Sequence, residues 1–403
     1  MLMSKERNAS EIYKKYTKAR RSVNPEGSLT STGYLRTVNV ISVLRVLYKE
    51  GSCSRSELSK FTGISLPTIT RILTELLKKS YVVPVGHEQS SGGRRPELFR
   101  LNSNQLMIIG IYLRSSEVIL SVANVDGKII EKRSFIPFSL IPEKFINELV
   151  KELWLLIKGS GIEEEQLVGI GVAVAGVVDN KLGTIIHSNN LSWNNVAIGK
   201  LLEERTGGTV IVENDANSAA LAELWFGCAK EVSSLVYLKT DTGVGAGLIC
   251  ERRLISGPFG MAGEIGNLPV LDGVVDDYLH LPSVFRHFEE LTGERVLDEK
   301  QFSQLIKEEH PVAQRLYAEA VEALTRVIVF AEAFLGTEMV VIGGYWGTAH
   351  PQFVQDVVDK CRPYLHKNQW KRTPLIVGSE LGKESDLRGA VGLVIHQWFE
   401  YPV

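Results

Sequence analysis

One cluster concentrates side chains able to do chemistry: Glu213-Asn214-Asp215-Ala216-Asn217. A carboxylate accepts hydrogen bonds and an amide both donates and accepts, so Asp beside Asn suits the vicinal hydroxyls of a polyol. An Asp placed there can also act as a general base toward a hydroxyl nucleophile. The same residues suit a helix start, with Asn214 or Asp215 as N-cap of the helical run Ala216 to Trp225. The two uses are compatible. Four glycine-bearing stretches could bring backbone N–H groups close to an anion or a flat ligand: Gly169 to Gly176, Thr240 to Gly247, Gly257 to Gly266 and Ile342 to Gly344. None carries the Gly-Lys-Ser/Thr of a Walker loop. Taken singly, each reads as a tight turn.

These groups need elements to hold them. Strand-like runs occur at Met107 to Ile111, Val118 to Asn124, Val168 to Val174, Thr209 to Val212, Ser234 to Lys239 and Met339 to Ile342. Helical runs lie between them, such as Pro142 to Lys158 and Pro311 to Leu335. The alternation predicts an α/β body, and two sets of such units predict two lobes around a cleft.

Ahead of this body the pattern changes. Apolar residues recur at helical spacing from Tyr34 to Lys49, and Gly51 ends that run. Ser54 and Glu57 fit a capping box for a short helix, about Arg55 to Phe61. Thr62-Gly63-Ile64 is a tight turn. Ser65 is placed to cap the next helix, with Pro67 in its first turn. That helix buries Ile69, Ile72, Leu73, Leu76 and Leu77 and exposes Thr68, Thr70, Arg71 and Thr74. Helix, glycine turn and second helix make a helix-turn-helix, whose second helix reads base edges in the major groove. Ser65, Thr68, Thr70 and Arg71 are its candidate DNA contacts. Strands at Tyr81 to Val83 and Leu98 to Leu101 flank Ser90-Ser91-Gly92-Gly93-Arg94-Arg95-Pro96 and form a wing. Its Arg94 and Arg95 suit the minor groove.

Charge divides at the same place. Residues 1–103 hold 18 Lys and Arg against 8 Glu, a net of +10, and the rest of the chain carries −12. Phosphate attraction therefore belongs to the N-terminal module. The expected domains are a basic arm over 1–33, a winged helix-turn-helix over 34–103 and a two-lobed body over 104–403. The 403 residues, 44% hydrophobic and 23% charged, fit a multidomain globular protein. No apolar run approaches the ~20 residues that span a bilayer. The polar N-terminus lacks a secretory h-region. Cys53, Cys228, Cys250 and Cys361 form no C-x-x-C pair. A reduced, cytoplasmic setting without membrane contact is expected.

With these motifs in view, the chain from Tyr34 onward resembles the repressor branch of the ROK family, which contains repressors and sugar kinases. The head carries the resemblance at Ser54-Arg55-Ser56-Glu57-Leu58, Thr62-Gly63-Ile64-Ser65 and the Gly92-Gly93-Arg94-Arg95-Pro96 tip. The body carries it at Asn190-Leu191-Ser192-Trp193, Glu213 to Asn217, Thr242 to Gly247, Ala262-Gly263-Glu264-Ile265-Gly266, Leu381-Gly382-Lys383 and Leu387-Arg388-Gly389-Ala390. The resemblance implies an actin/hexokinase-like ATPase fold with sugar held between the lobes. It implies contacts from Asn190, Asn214, Asp215, Glu264 and Asn267.

Two departures shape the expectation. Family kinases open the body with an Asp-x-Gly-Gly-Thr turn at the ATP phosphates. Here Ile111-Tyr112-Leu113-Arg114-Ser115-Ser116 stands in that place, which argues against phosphoryl transfer and leaves Asp215, the family's base position, as a hydroxyl acceptor. The family's zinc module is also gone: Asn267 replaces its His, and Leu268 to Phe285 contains no cysteine. His280 and His287 cannot make a structural zinc site alone, so neither metal nor cofactor is expected. Asp276 and Asp277 are the candidates to replace the family's remaining sugar-contacting Glu. The expected protein is a sugar-responsive regulator of a carbohydrate operon, acting as a homodimer or dimer of dimers on operator DNA. The alternatives are a sugar kinase with an accessory head and a ligand-independent dimeric regulator.

Overall fold

The computed structural model describes residues 32–87, 96–365 and 373–399. Helix α1 (Thr32–Glu50) starts two residues before the expected Tyr34 and gives way to Gly51 at φ 76°. Strand β1 (Ser52–Ser54) leads into α2 (Arg55–Thr62). There the capping box is present: Glu57 N donates to Ser54 Oγ at 3.3 Å and Ser54 N to Glu57 Oε2 at 2.8 Å. Gly63, at φ 71°, closes α2 in the left-handed region that glycine adopts without strain. Helix α3 (Leu66–Lys78) follows, with Ile69, Ile72, Leu73 and Leu76 buried and Leu77 half-buried. Ser65 corrects one expectation. It precedes α3 but makes no side-chain cap, because its hydroxyl pairs with Thr68 Oγ1 at 3.0 Å.

Strands β2 (Val82–His87) and β3 (Glu97–Leu101) pair antiparallel, and β1 adds to the far edge of β3. The head is therefore a helix-turn-helix with a small winged sheet. Arg94 and Arg95 lie outside the described residues, as do residues 1–31 of the expected arm.

The body opens with β4 (Met107–Leu113), β5 (Val118–Asn124) and β6 (Ile129–Phe135), then α4 (Pro142–Ser160) and β7 (Leu167–Val174). Strands β8 (Val177–Asp179), β9 (Thr184–Ser188) and β10 (Trp193–Val196) form a small meander. Helix α5 (Ile198–Thr206), β11 (Val210–Asn214) and α6 (Asp215–Phe226) complete the first lobe. Its main sheet has the order β11-β7-β4-β5-β6. The parallel pairs β11/β7 and β7/β4 are nearly continuous apolar runs, as strands covered on both faces must be. The edge strand β6 exposes Glu131, Lys132 and Arg133, charges that discourage further strand pairing.

The second lobe contains β12 (Leu235–Thr240), β13 (Val244–Cys250), β14 (Arg253–Leu254), β15 (Pro269–Val270) and β16 (Gly273–Val274). Helices α7 (Val275–Leu279), α8 (Leu281–Thr292), α9 (Glu299–Lys307) and α10 (Pro311–Leu335) follow, then β17 (Met339–Gly343), α11 (Gly344–Thr348), α12 (Pro351–Leu365), β18 (Leu375–Gly378) and α13 (Ser385–Phe399). The sheet order is β14-β13-β12-β17-β18.

Helices α6 and α13 pack against each other between the two sheets, α13 on β4 and β7, α6 on β12 and β13. Glycines make this possible. A Cβ on Gly171 in β7 would lie 1.7 Å from the Ala390 carbonyl oxygen, and one on Gly247 in β13 would lie 2.5 Å from that of Ala216. These two glycines thin the sheets where helices cross them and are not turn residues, which corrects the sequence expectation. Gly171→Ala is expected to destabilise the protein by about 1–3 kcal/mol through overpacking, measured by urea unfolding. An unchanged midpoint would show that β7 and α13 can part at no cost.

The head is not a separate bead. One apolar cluster joins Leu44, Leu47, Ile72 and Phe99 of the head to Ile108, Val168, Phe226, Val394 and Phe399 of the body. Among the described residues no helix is long and apolar enough to cross a membrane.

Candidate ligand cleft and nucleic-acid interface

Strand β11 delivers Glu213 and Asn214 to the start of α6, and the structure divides the labour there. Asn214 is the N-cap: Ala216 N and Asn217 N donate to its Oδ1 at 2.8 and 3.2 Å. Its Nδ2 donates to the Gly176 carbonyl at 3.0 Å. Glu213 is buried, accepting from Asn214 N, Asn217 Nδ2 and Asn180 Nδ2 at 2.8, 3.0 and 2.7 Å. Burial pushes its carboxyl above the usual range, against the pull of those bonds. With the cap supplied by Asn214, Asp215 is released for other work.

Asp215 sits in a cluster drawn from both lobes. Lys239 Nζ from β12 lies 3.1 Å from Asp215 Oδ2 and also pairs with Asp386 at the start of α13. The Tyr112 hydroxyl at the end of β4 is 3.5 Å from Asp215 Oδ2 and 3.4 Å from Lys239 Nζ. Burial works against the Lys239 charge, but Asp215 and Asp386 outweigh it and hold the ammonium well above its ordinary range. Burial raises the Asp386 carboxyl and the Tyr112 hydroxyl. Two residues further along, Arg114 Nη2 donates to Thr242 Oγ1 at 2.8 Å, tying β4 to the β12–β13 turn. The stretch Ile111 to Ser116 thus contributes side chains to the cleft, a phenol and a guanidinium.

The other expected contacts fall unevenly. Asn190 is exposed, and its Oδ1 accepts from Ser115 N at 2.7 Å, so the same stretch links it to the Asp215 cluster. Glu264 is exposed, yet neighbouring atoms partly desolvate its carboxyl. That desolvation raises its carboxyl, with the charges of Asp215 and Asp276 adding to it. Asn267 is exposed ahead of β15. Asn214 is turned to the helix start and Gly176. Asp276 and Asp277 differ in what they bond: Asp277 Oδ2 accepts from Val274 N at 2.9 Å, whereas Asp276 Oδ1 is buried without a hydrogen-bond partner. His280 is held between Ser283 Oγ and the Thr242 carbonyl at 3.0 and 3.1 Å. Among the described residues no group of three His, Cys, Asp or Glu is placed to hold a metal ion.

Sequence reasoning missed Lys239, Asp386 and the cleft role of Tyr112 and Arg114. A signal existed for the first: Lys239 interrupts the apolar strand Leu-Val-Tyr-Leu-Lys-Thr, where a lysine survives only if paired.

On the head, Arg71 is exposed on α3. Thr70 and Thr74 are exposed as expected, and their hydroxyls bond within the helix. Thr70 Oγ1 donates to the Leu66 carbonyl at 2.9 Å and Thr74 Oγ1 to that of Thr70 at 2.8 Å. Thr68 is half-buried and shares its hydroxyl bond with Ser65. At the other end of the head, Tyr48 of α1 lies 5.8 Å, centroid to centroid, from Trp225 near the end of α6 and 5.0 Å from Phe399 at the end of α13. The Arg252 guanidinium covers the Trp225 ring at 5.4 Å.

Comparison with known proteins agrees with this architecture. The model of the MarR family matches residues 37–83, and that of the ROK family residues 108–397. The chain is 33% identical over 237 residues to a protein named putative xylose repressor from Caldicellulosiruptor sp. (strain Rt8B.4), covering 59% of each. It is 23% identical over 245 residues to the DNA-binding transcriptional dual regulator NagC of Escherichia coli (strain K12), covering 61% of this chain and 60% of that one. The match to the first of these spans 59% of that relative's length. Among solved structures, a ROK family transcriptional regulator described as a homolog of the E. coli MLC protein superposes with a TM-score of 0.78 at 19% identity, over 91% of this chain and all of that one. The ROK hexokinase from Thermus thermophilus superposes with a TM-score of 0.63 at 25% identity, over 73% of this chain and all of that one. A winged helix-turn-helix fused to a two-lobed body of the sugar-kinase type, matched over residues 108–397, places this chain in the ROK family.

Proposed function

We propose that the chain is a sugar-responsive DNA-binding regulator, a repressor of a carbohydrate uptake or catabolism operon. Two copies bind operator half-sites one or two helical turns apart. A monosaccharide or sugar derivative binds the cleft at Asn190, Asp215, Glu264, Asn267 and Asp276, with Asn214 as the cap that presents Asp215. Arg71 and the wing arginines Arg94 and Arg95 engage the DNA. The names of the curated relatives support this reading. The observation that carries it is the run of α6, whose first residue is Asp215 in the cleft and whose last turn holds Trp225 against Tyr48 of the head. A ligand that displaces one end of this helix has a direct route to the other. It acts only as far as it binds the two arrangements differently.

Phosphoryl transfer is disfavoured because Ile111 to Ser116 lacks the Asp and glycines that bring a turn close to the ATP phosphates, and Asp215 is already held in an ion pair with Lys239. The test is a panel including D-xylose, D-glucose and N-acetylglucosamine. One member is expected to raise the melting temperature and release operator DNA, adding about 2.7 kcal/mol at 100 times its dissociation constant. Asp215→Asn is expected to remove both responses while retaining DNA binding. ATP-dependent phosphorylation of the sugar at rates typical of dedicated kinases would overturn the regulator reading.

A further inference from the structure

The DNA-facing surface of the head is more apolar than its sequence suggests. The hydroxyl protons of Thr70 and Thr74 go to carbonyls of their own helix, the back-bonding to the carbonyl four residues earlier that helical threonines make. Ser65 and Thr68 are occupied with each other. What remains for a partner along this face is methyl groups, acceptor lone pairs, the one hydroxyl proton that the Ser65–Thr68 pair does not use and the guanidinium of Arg71. At the end of α3 that enters a groove, Leu66 is 49% exposed, with Pro67 exposed beside it. Phe61, on the last turn of α2, is 54% exposed. Single exposed apolar residues are common on protein surfaces. Here Leu66 and Pro67 are consecutive at the start of α3, Phe61 lies just before them across the Gly63 turn, and Arg71 is exposed further along the same helix.

A DNA duplex offers few apolar partners. The phosphate ridges are charged and the base edges in the minor groove are polar. The exposed apolar group of the major groove is the C5-methyl of thymine. We propose that Leu66 reads a thymine methyl in each operator half-site, with Pro67 and Phe61 closing water away from the contact. This inference rests on the DNA-binding reading above and adds the base class that the tip of the helix selects.

The experiment begins with the full chain selecting duplexes from a random-sequence library. The selected duplex is resynthesised with deoxyuridine in place of each thymine in turn, which removes one methyl and leaves base pairing intact. At one thymine in each half-site the unaltered protein is expected to lose about fourfold in affinity, the effect of one methyl withdrawn from water. Leu66→Ala is expected to bind the thymine and deoxyuridine duplexes equally at that position. If every deoxyuridine duplex binds the unaltered protein as tightly as the thymine one, the inference fails and the DNA-binding reading stands. Full discrimination by Leu66→Ala assigns the methyl contact elsewhere and also overturns it. A chain that selects no duplex removes the DNA-binding reading and the inference together.

Discussion

Lys239→Met is expected to cost the protein about 3–5 kcal/mol of stability, the penalty for stranding buried charge when one partner of a buried pair is removed. Lys239 and Asp215 side chains are 7% and 8% exposed, and Asp386 shares the same ammonium. Methionine fills a similar volume but leaves two carboxylates facing each other in low dielectric. The sign of the pH dependence follows. Without the cation, each carboxyl has a folded-state pKa above its unfolded value, so the variant regains stability as pH falls and loses it as pH rises through the carboxyl range. Urea unfolding at several pH values reads both effects. A loss below about 1 kcal/mol at neutral pH would mean that water already reaches the cluster. Asp215→Asn in the Lys239→Met background removes one of the two stranded charges and is expected to recover part of the loss, a non-additivity proper to contacting residues.

Trp225→Ala is expected to separate the two ends of the molecule. The ring sits between Tyr48 of the head, Phe399 of α13 and the Arg252 guanidinium. Its loss deletes aromatic contacts worth roughly 0.5–1.5 kcal/mol each at the place where α6 meets the head. The cleft lies at the opposite end of that helix and keeps its residues. The sugar that stabilises the unaltered protein should therefore still bind and raise the melting temperature. Its effect on operator affinity, which in coupled systems is commonly 5- to 150-fold or about 1–3 kcal/mol, should shrink toward none. Titrating operator DNA with and without sugar measures this. A variant that keeps the full effect would place the coupling outside α6 and the aromatic junction.

Much of this architecture is legible in the amino-acid sequence. Local rules identified the head, because Ser54, Glu57 and Gly63 act within a few residues of themselves. They also identified the strands, because β4, β7 and β17 bury both faces and read as unbroken apolar runs. What stayed hidden depends on residues far apart in the chain. Lys239 and Asp386 are 147 positions apart, and neither announces the other. The role of Gly171 is invisible until α13 is laid on β7. Ser65 misled for a subtler reason: its type and position suited a cap, but a neighbouring hydroxyl at Thr68 competed for it. Asn214 and Asp215 could not be told apart as caps, since both satisfy the preference. The backbone direction at the end of β11 decided between them.

The shared apolar cluster limits how freely this architecture can be recombined. A head cut at residue 103 would open the apolar cluster that Leu47, Phe99 and Leu101 share with Ile108, Val168, Phe226 and Phe399. Its solubility and fold would suffer for reasons unrelated to DNA. Grafting a foreign head onto this body would leave Trp225 and Phe399 facing the wrong shapes. Heads and bodies joined in this way must change together across the seam, so new operator preferences are most easily gained at the far tip, on the exposed face of α3, where substitutions disturb nothing beneath.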